Sequence, residues 1–376
     1  MYGLGISKKD LAEALAQLET AGNGINLNAL NGGGNVARFE AALGREFGAP
    51  YVLAVSSGTA ALHTALMSAD IGPGDEVIVS AYGWGQTAAA VLMVGATPVF
   101  ADVDGCTGNI NPESVADRLS PRTRAVLVTH LFGLPAEMAE LQALCGSAGI
   151  LLIADAAQAF GAAYHTDPIG AWGDMVCVSF GAGKALSVGE GGAVAFRDAT
   201  HFERAVLMTQ HPLRALNDLD DPLLRDSVSE LGTSYRLSEL VAAIGLVRLP
   251  TLPDRIAEAR RQAAKTSAVL SSLELRLPTD SRHGMHAFHT YVAFADEGAR
   301  GQVLAAISQL GLDGTPGPVR FPLHLRCGLV GLRQRWMTAS WRMVPPHETW
   351  RRGSCPVAES MCACREIMIN LAHADS

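Results

Sequence analysis

In Leu151–Leu152–Ile153–Ala154–Asp155–Ala156–Ala157–Gln158 a continuous apolar run, 151–154, ends on a carboxylic acid, Asp155. Apolar residues without polar alternation fit a strand covered on both faces rather than one half in water. Working outward, runs of the same kind recur upstream at 51–55, 76–79, 98–101 and 125–129, and downstream at 175–180 and 192–196. Patterns of helical period over 58–70, 84–95, 111–119 and 135–147 separate the first five. Short apolar strands alternating with helices predict an α/β fold with a mainly parallel, seven-stranded sheet flanked by helices. Turn chemistry agrees: Ile71–Gly72–Pro73–Gly74–Asp75 divides a helix from the second strand, and Gly95–Ala96–Thr97–Pro98 precedes the third.

After residue 196 the alternation lapses. A helical pattern near 200–210 leads into an aspartate-rich connection over 217–226. An amphipathic helix is then predicted from 237 to 270, interrupted by Pro250 and Pro253. The remainder mixes a strand-like run at 288–294, a helical pattern at 300–310 and Gly/Pro-rich loops. The expected organisation is a large domain over 1–250 and a smaller C-terminal α+β domain over 251–376.

Composition removes several function classes. The chain is 48% hydrophobic and 18% charged, enough apolar material for a large core and unlike a disordered segment. Its apolar stretches fall short of the ~20 residues a membrane span needs, and no basic, then apolar, leader opens the sequence. A formal net charge of −8 argues against a broad nucleic-acid footprint while leaving room for a local anion site. The seven cysteines show no C-x-x-C pair and no zinc spacing, so reduced thiols, no metal and a cytoplasmic enzyme are expected. Only four of the 29 basic residues are lysine, and Lys184 alone lies in a glycine-rich, uncharged stretch, Phe180–Gly181–Ala182–Gly183–Lys184–Ala185–Leu186.

Four features stand near the ends of expected strands. At Ser56–Ser57–Gly58–Thr59–Ala60–Ala61–Leu62 a strand gives way to a helix, whose free N–H groups and positive end suit a phosphate; a capped turn reads the same way. Asp155 closes an apolar strand, where its charge calls for a cation such as a protonated heterocyclic nitrogen, or else it serves as a helix cap. Lys184, among small neutral residues, can have its ammonium destabilised by desolvation, leaving a nucleophilic amine suited to a Schiff base; a surface lysine is the plainer reading. Ser179 can donate to a phosphate or cap a turn. Trp84 follows the second strand, where an indole can stack on a planar ring or fill the core. Phosphate anchor, ring stacker, acid for a pyridinium nitrogen and amine for an aldehyde together match what pyridoxal 5′-phosphate (PLP) requires.

The chain resembles the sugar aminotransferases of the DegT/StrS type, PLP enzymes of the aspartate-aminotransferase fold (fold type I). The likeness runs over most of residues 30–245, through Phe39–Glu40, Ser57–Gly58–Thr59–Ala60–Ala61–Leu62, Gly72–Pro73–Gly74–Asp75–Glu76–Val77 and Thr97–Pro98–Val99–Phe100. It continues through His130–Leu131–Phe132–Gly133, Asp155–Ala156–Ala157–Gln158, Ser179–Phe180, Gly189–Glu190–Gly191–Gly192 and Tyr235–Arg236–Leu237–Ser238–Glu239–Leu240. Pro322–Leu323–His324–Leu325 is similar more loosely. The resemblance implies Lys184 as the lysine joined to the coenzyme aldehyde and as proton shuttle, with Asp155 against the pyridine nitrogen. It implies Gly58, Thr59 and Ser179 at the phosphate, Trp84 on the ring and Gln158 near the ring hydroxyl. It further implies a homodimer whose neighbouring subunit completes the phosphate site, with Ser234 where the family often has asparagine.

Family relatives that dehydrate sugars at C-3 carry histidine at the lysine position, so Lys184 favours transamination. The resemblance then implies an amino donor, glutamate or glutamine, and a polyhydroxylated ketone acceptor, a keto sugar or cyclitol ketone, in secondary-metabolite (antibiotic) biosynthesis. Tyr82, His211, Arg320 and His324 are polar candidates for touching the acceptor, each with a structural role open to it. Other PLP reactions, such as elimination, replacement or condensation, use the same lysine and acid, and a non-catalytic role requires that no PLP bind. A nicotinamide oxidoreductase is disfavoured, because no Gly-x-Gly-x-x-Gly follows the first strand.

Overall fold

A computed structural model describes residues 5–18, 20–21, 24–228, 232–273, 275–296, 300–310, 314–316 and 364–369. Seven strands form the main sheet: β1 (Tyr51–Val55), β2 (Glu76–Ser80), β3 (Thr97–Ala101), β4 (Thr123–Thr129), β5 (Leu151–Asp155), β6 (Met175–Ser179) and β7 (Gly192–Phe196). Their spatial order is β1–β7–β6–β5–β4–β2–β3. β6, β5, β4, β2 and β3 run parallel, and β7 is antiparallel to both β6 and β1. The one reversal has a simple cause. Residues 180–191 connect β6 to β7 as a hairpin, without the crossover helix that a parallel neighbour would need.

Alternate strand residues feed two separate cores, which is why the strands read as unbroken apolar runs. Val52, Ala54, Leu152, Ala154, Val176 and Val178 point to one face. There they meet α2 (Gly34–Phe47), α6 (Met138–Ala148), α10 (Glu239–Arg248) and α11 (Leu252–Leu270) through Phe39, Leu43, Leu141, Ala242 and Ile256. Leu53, Val55, Ile153 and Cys177 point to the other face, against α3 (Gly58–Ser68), α4 (Gly85–Met93) and α7 (Ala199–Thr209). At roughly 25 cal/mol per Å² of apolar surface, this two-sided burial is the main force holding the sheet. The layers are also pinned by polar contacts. Glu239, at the start of α10, accepts the Asn35 and Val36 N–H groups at 2.7 and 3.1 Å, capping α2 from another helix. Arg214 donates to both oxygens of buried Glu40 at 3.0 and 2.8 Å.

The structure departs from the sequence expectations at three places. The aspartate-rich connection is bracketed by two short helices, α8 (Pro212–Asp218), which runs into its start, and α9 (Pro222–Asp226), which forms its end, each opened by a proline whose fixed φ and missing N–H suit a first turn. The helix expected over 237–270 is two helices: Pro250 sits in the 3₁₀ turn Leu249–Thr251 between α10 and α11, and Pro253 lies in the first turn of α11. The strand expected at 288–294 is β8 (Tyr291–Asp296), because Phe288 has φ +50°, a left-handed conformation that cannot join a ladder. β8 pairs with β10 (Cys364–Ile369), which also pairs with β9 (Gly314–Pro316), giving a second, antiparallel sheet. Among the described residues no helix is long and apolar enough to cross a membrane.

Candidate active site

The carboxyl ends of β4, β5 and β6 and the first turns of α3 and α4 meet at one edge of the sheet. Asp155 is the last residue of β5, level with Thr129 of β4 and Cys177 of β6. It is 5% exposed, yet among the described residues its carboxylate accepts only from the Thr87 hydroxyl at 2.8 Å and the Ala157 N–H at 3.1 Å. Burial pushes the carboxyl above the ordinary aspartate range, while those two donors and Lys184 pull the other way. Lys184 lies in the β6–β7 hairpin, its N–H bonded to the Gly181 carbonyl at 3.2 Å. Burial lowers its ammonium below the ordinary lysine range, and Asp155 opposes that shift. Asp155 and Lys184 therefore feel each other's charge from poorly hydrated positions.

The expected phosphate anchors also converge. Ser57 caps α3 by accepting the Ala60 N–H at 3.0 Å, which leaves the Gly58 and Thr59 N–H groups without an acceptor among the described residues. Ser179 closes β6 directly beside Gly58: a Cβ built on Gly58 would stand 2.7 Å from the Ser179 Cβ. Only glycine permits that approach, and it sets a serine hydroxyl against the open end of a helix. Gln158 accepts the Phe132 N–H through Oε1 at 2.8 Å, so its Nε2 is the end left to meet a ligand. Trp84 is the residue before α4 and is 52% exposed. Ser234 is exposed; its neighbour Tyr235 accepts the Ser56 N–H at 2.8 Å, which sets Ser234 along the end of β1.

Of the polar acceptor candidates, Tyr82 is 2% exposed and packs edge-on against Phe132 at 6.3 Å, inside a small cluster with Val292 and Phe294. His211 caps α8 by accepting the Leu213 N–H at 3.2 Å. His211 thus serves as a helix cap, whereas the Tyr82 hydroxyl is buried with no hydrogen-bond partner among the described residues. Arg320 and His324 lie outside the described residues. Thr87 escaped the sequence reading. Its signal is its place one turn after Trp84 on α4, so a helix start at residue 85 turns it toward the sheet. His289, whose imidazole feels the Lys184 charge, had no such signal.

A seven-stranded sheet of this order, with a lysine hairpin beside a strand-end acid, is an arrangement suited to a pyridine coenzyme. The residues fit PLP: a buried carboxylate with two donors calls for a cationic partner, and the Gly58–Ser179 contact forms a cradle that no side chain of the described residues fills. The chain belongs to the DegT/DnrJ/EryC1/StrS aminotransferase family, whose model matches residues 12–325. It is 32% identical over 295 residues to the GDP-perosamine synthase of Caulobacter vibrioides, covering 77% of each chain. It is 37% identical over 269 residues to the L-glutamine:2-deoxy-scyllo-inosose aminotransferase of Streptomyces fradiae, covering 70% of this chain and 63% of that enzyme. Among solved structures it superposes on an aminotransferase from Psychrobacter cryohalolentis with a TM-score of 0.81 and 26% identity, over 99% of this chain and 93% of the other. The protein is an aminotransferase-family enzyme, and its family implies PLP as the coenzyme.

Proposed function

We propose that this aminotransferase uses PLP held by Asp155, Lys184, Gly58, Thr59, Ser179, Trp84 and Gln158. On this reading it moves an amino group from glutamate or glutamine to a keto sugar or cyclitol ketone in secondary-metabolite biosynthesis. The observation that carries the reading is the pairing of a buried strand-end acid, Asp155, held by Thr87, with Lys184 in the adjoining hairpin, burial working against the charged form of each. The sugar and cyclitol enzymes among its relatives support the acceptor class.

When bound, the coenzyme supplies an electron sink for the carbanion formed at the donor α-carbon. Asp155, oriented by Thr87, keeps the heterocyclic nitrogen protonated. The first-turn N–H groups of α3 and the Ser179 hydroxyl hold the phosphate. Trp84 covers one face of the ring, and the Gln158 Nε2 donates to its hydroxyl. Lys184 Nζ, released as a free amine, takes the proton from the donor α-carbon and returns it on the far side of the transferred nitrogen. The enzyme works in the cytoplasm as a homodimer, with Ser234 of the partner subunit reaching the phosphate.

The test incubates PLP-loaded protein with glutamine or glutamate and a panel of keto sugars and cyclitol ketones, read by mass. An amino product is expected only with donor present; ketone consumption without nitrogen transfer would overturn the assignment. Lys184→Ala is expected to lose the lysine-linked coenzyme absorbance and more than a hundredfold of turnover.

A further inference from the structure

Asp155 is held by more than one hydroxyl. Thr129 of β4 is its register partner across the parallel ladder, so the two side chains leave the sheet side by side. Thr87, in the first turn of α4, reaches both: its Oγ1 lies 2.8 Å from Asp155 Oδ2 and 3.5 Å from Thr129 Oγ1. Both threonines are buried, and neither side chain makes another hydrogen bond among the described residues. The titratable groups that act on Asp155 are Lys184, whose charge favours the carboxylate, and Cys177 on the β6 flank, whose thiol burial keeps neutral.

A hydroxyl has one proton to give and two lone pairs, whereas an ionised carboxylate only accepts. Thr87 therefore gives its proton to Asp155 Oδ2, the shorter contact. In the 3.5 Å contact, at the outer edge of hydrogen bonding, Thr87 is left as acceptor and Thr129 as donor. The chain of donors runs one way, Thr129 to Thr87 to Asp155. The Ala157 N–H faces Oδ1 at 3.1 Å, so a proton arriving on either carboxyl oxygen meets a donor already aimed there. Only a turn of the Thr87 hydroxyl would make room on Oδ2, and the Thr129 proton opposes that turn. We infer that Thr129 is a positioning residue: it donates to Thr87 Oγ1, locks Thr87 as donor to Asp155 Oδ2, and so keeps Asp155 an acceptor, with the proton left to the heterocyclic nitrogen. This inference rests on Asp155 meeting the coenzyme nitrogen as proposed, while the relay itself belongs to the coenzyme-free chain.

The test compares four variants: Thr129→Val, which keeps the branched shape without the hydroxyl; Thr87→Val; the double variant; and Thr129→Ser, which restores the hydroxyl. In coenzyme-free protein labelled at the aspartate carboxyl carbon, magnetic resonance follows the Asp155 titration, assigned by the signal lost in Asp155→Asn. Removing a donor from the charged form raises the midpoint. The expected rise is about one pH unit in Thr87→Val and, through the longer link, about 0.3 in Thr129→Val, with Thr129→Ser back at the wild-type value. Because Thr129 acts through Thr87, the double variant should match Thr87→Val. With PLP labelled at its ring nitrogen, that resonance should move toward the neutral-pyridine position in both single variants, further in Thr87→Val. If Thr129→Val does not fold, Thr129→Ala takes its place with the same expectations. A Thr129→Val midpoint equal to wild type, or a shift that persists on the Thr87→Val background, would overturn the inference alone. A wild-type Lys184 that forms no borohydride-trappable bond to PLP overturns the functional reading and, with it, the role given to the relay.

Discussion

Burial raises the Asp155 pKa, so between the unfolded carboxyl's titration near pH ~4 and its higher folded value the native chain holds a proton the unfolded chain has lost. As pH rises through the folded value that advantage disappears, and at neutral pH, above the unfolded value, the buried carboxyl weighs against folding. Asp155→Asn should therefore melt at a higher temperature than the wild type in coenzyme-free form at pH 7. Its PLP affinity and turnover should nonetheless collapse, because an amide cannot keep the ring nitrogen protonated. Calorimetry with and without PLP reads both halves, and a lower melting temperature without coenzyme would contradict the burial argument. Asp155 and Lys184 were legible in the sequence, since each is an isolated charge in an apolar or glycine-rich setting. Thr87 was not, because a threonine in a helix carries no signal until the helix is phased. His289 was hidden for a different reason: its contact partners are far away in sequence.

The start of α3 illustrates how an element can be built around a missing methyl. Gly58→Ala would push a Cβ into Ser179 at the end of β6 and displace the serine hydroxyl from the helix end. The expected outcome is a PLP affinity weakened by about tenfold or more, for a stability loss of about 1–3 kcal/mol. Titration of coenzyme absorbance against thermal melting separates the two. At this scale the sequence read well where hydrophobic period decides the structure: all seven strands of the main sheet fall on its apolar runs. It read poorly where backbone geometry decides. The β6–β7 reversal follows from a hairpin rather than a crossover, the 217–226 connection coils because prolines open helices there, and β8 starts late because Phe288 turns left-handed.

For the molecule as a whole, buried histidines set the acid limit. His130 is fully buried, its Nδ1 accepting the Ala136 N–H at 3.1 Å, and His286 is 2% exposed, its Nδ1 accepting the Phe288 N–H at 2.8 Å. Burial lowers both from 6.5 to about 3. The unfolded chain takes up these protons first. Their contribution is thus complete above pH ~6.5 and is lost as pH falls through the window toward 3. Denaturant melts from pH 7 to pH 4 should show a falling midpoint with net proton uptake on unfolding, and His130→Gln should flatten the slope. A slope unchanged by that substitution would remove His130 from the account.

The joint between residues 286–290 and the 131–134 turn is made by main-chain donors and acceptors, Ala287 and Thr290 to Gly133 and Phe132. Such a seam is blind to most side-chain identities. What it asks of the sequence is one glycine, at 133, and the apolar neighbours Phe132, Val292 and Phe294 that close over it.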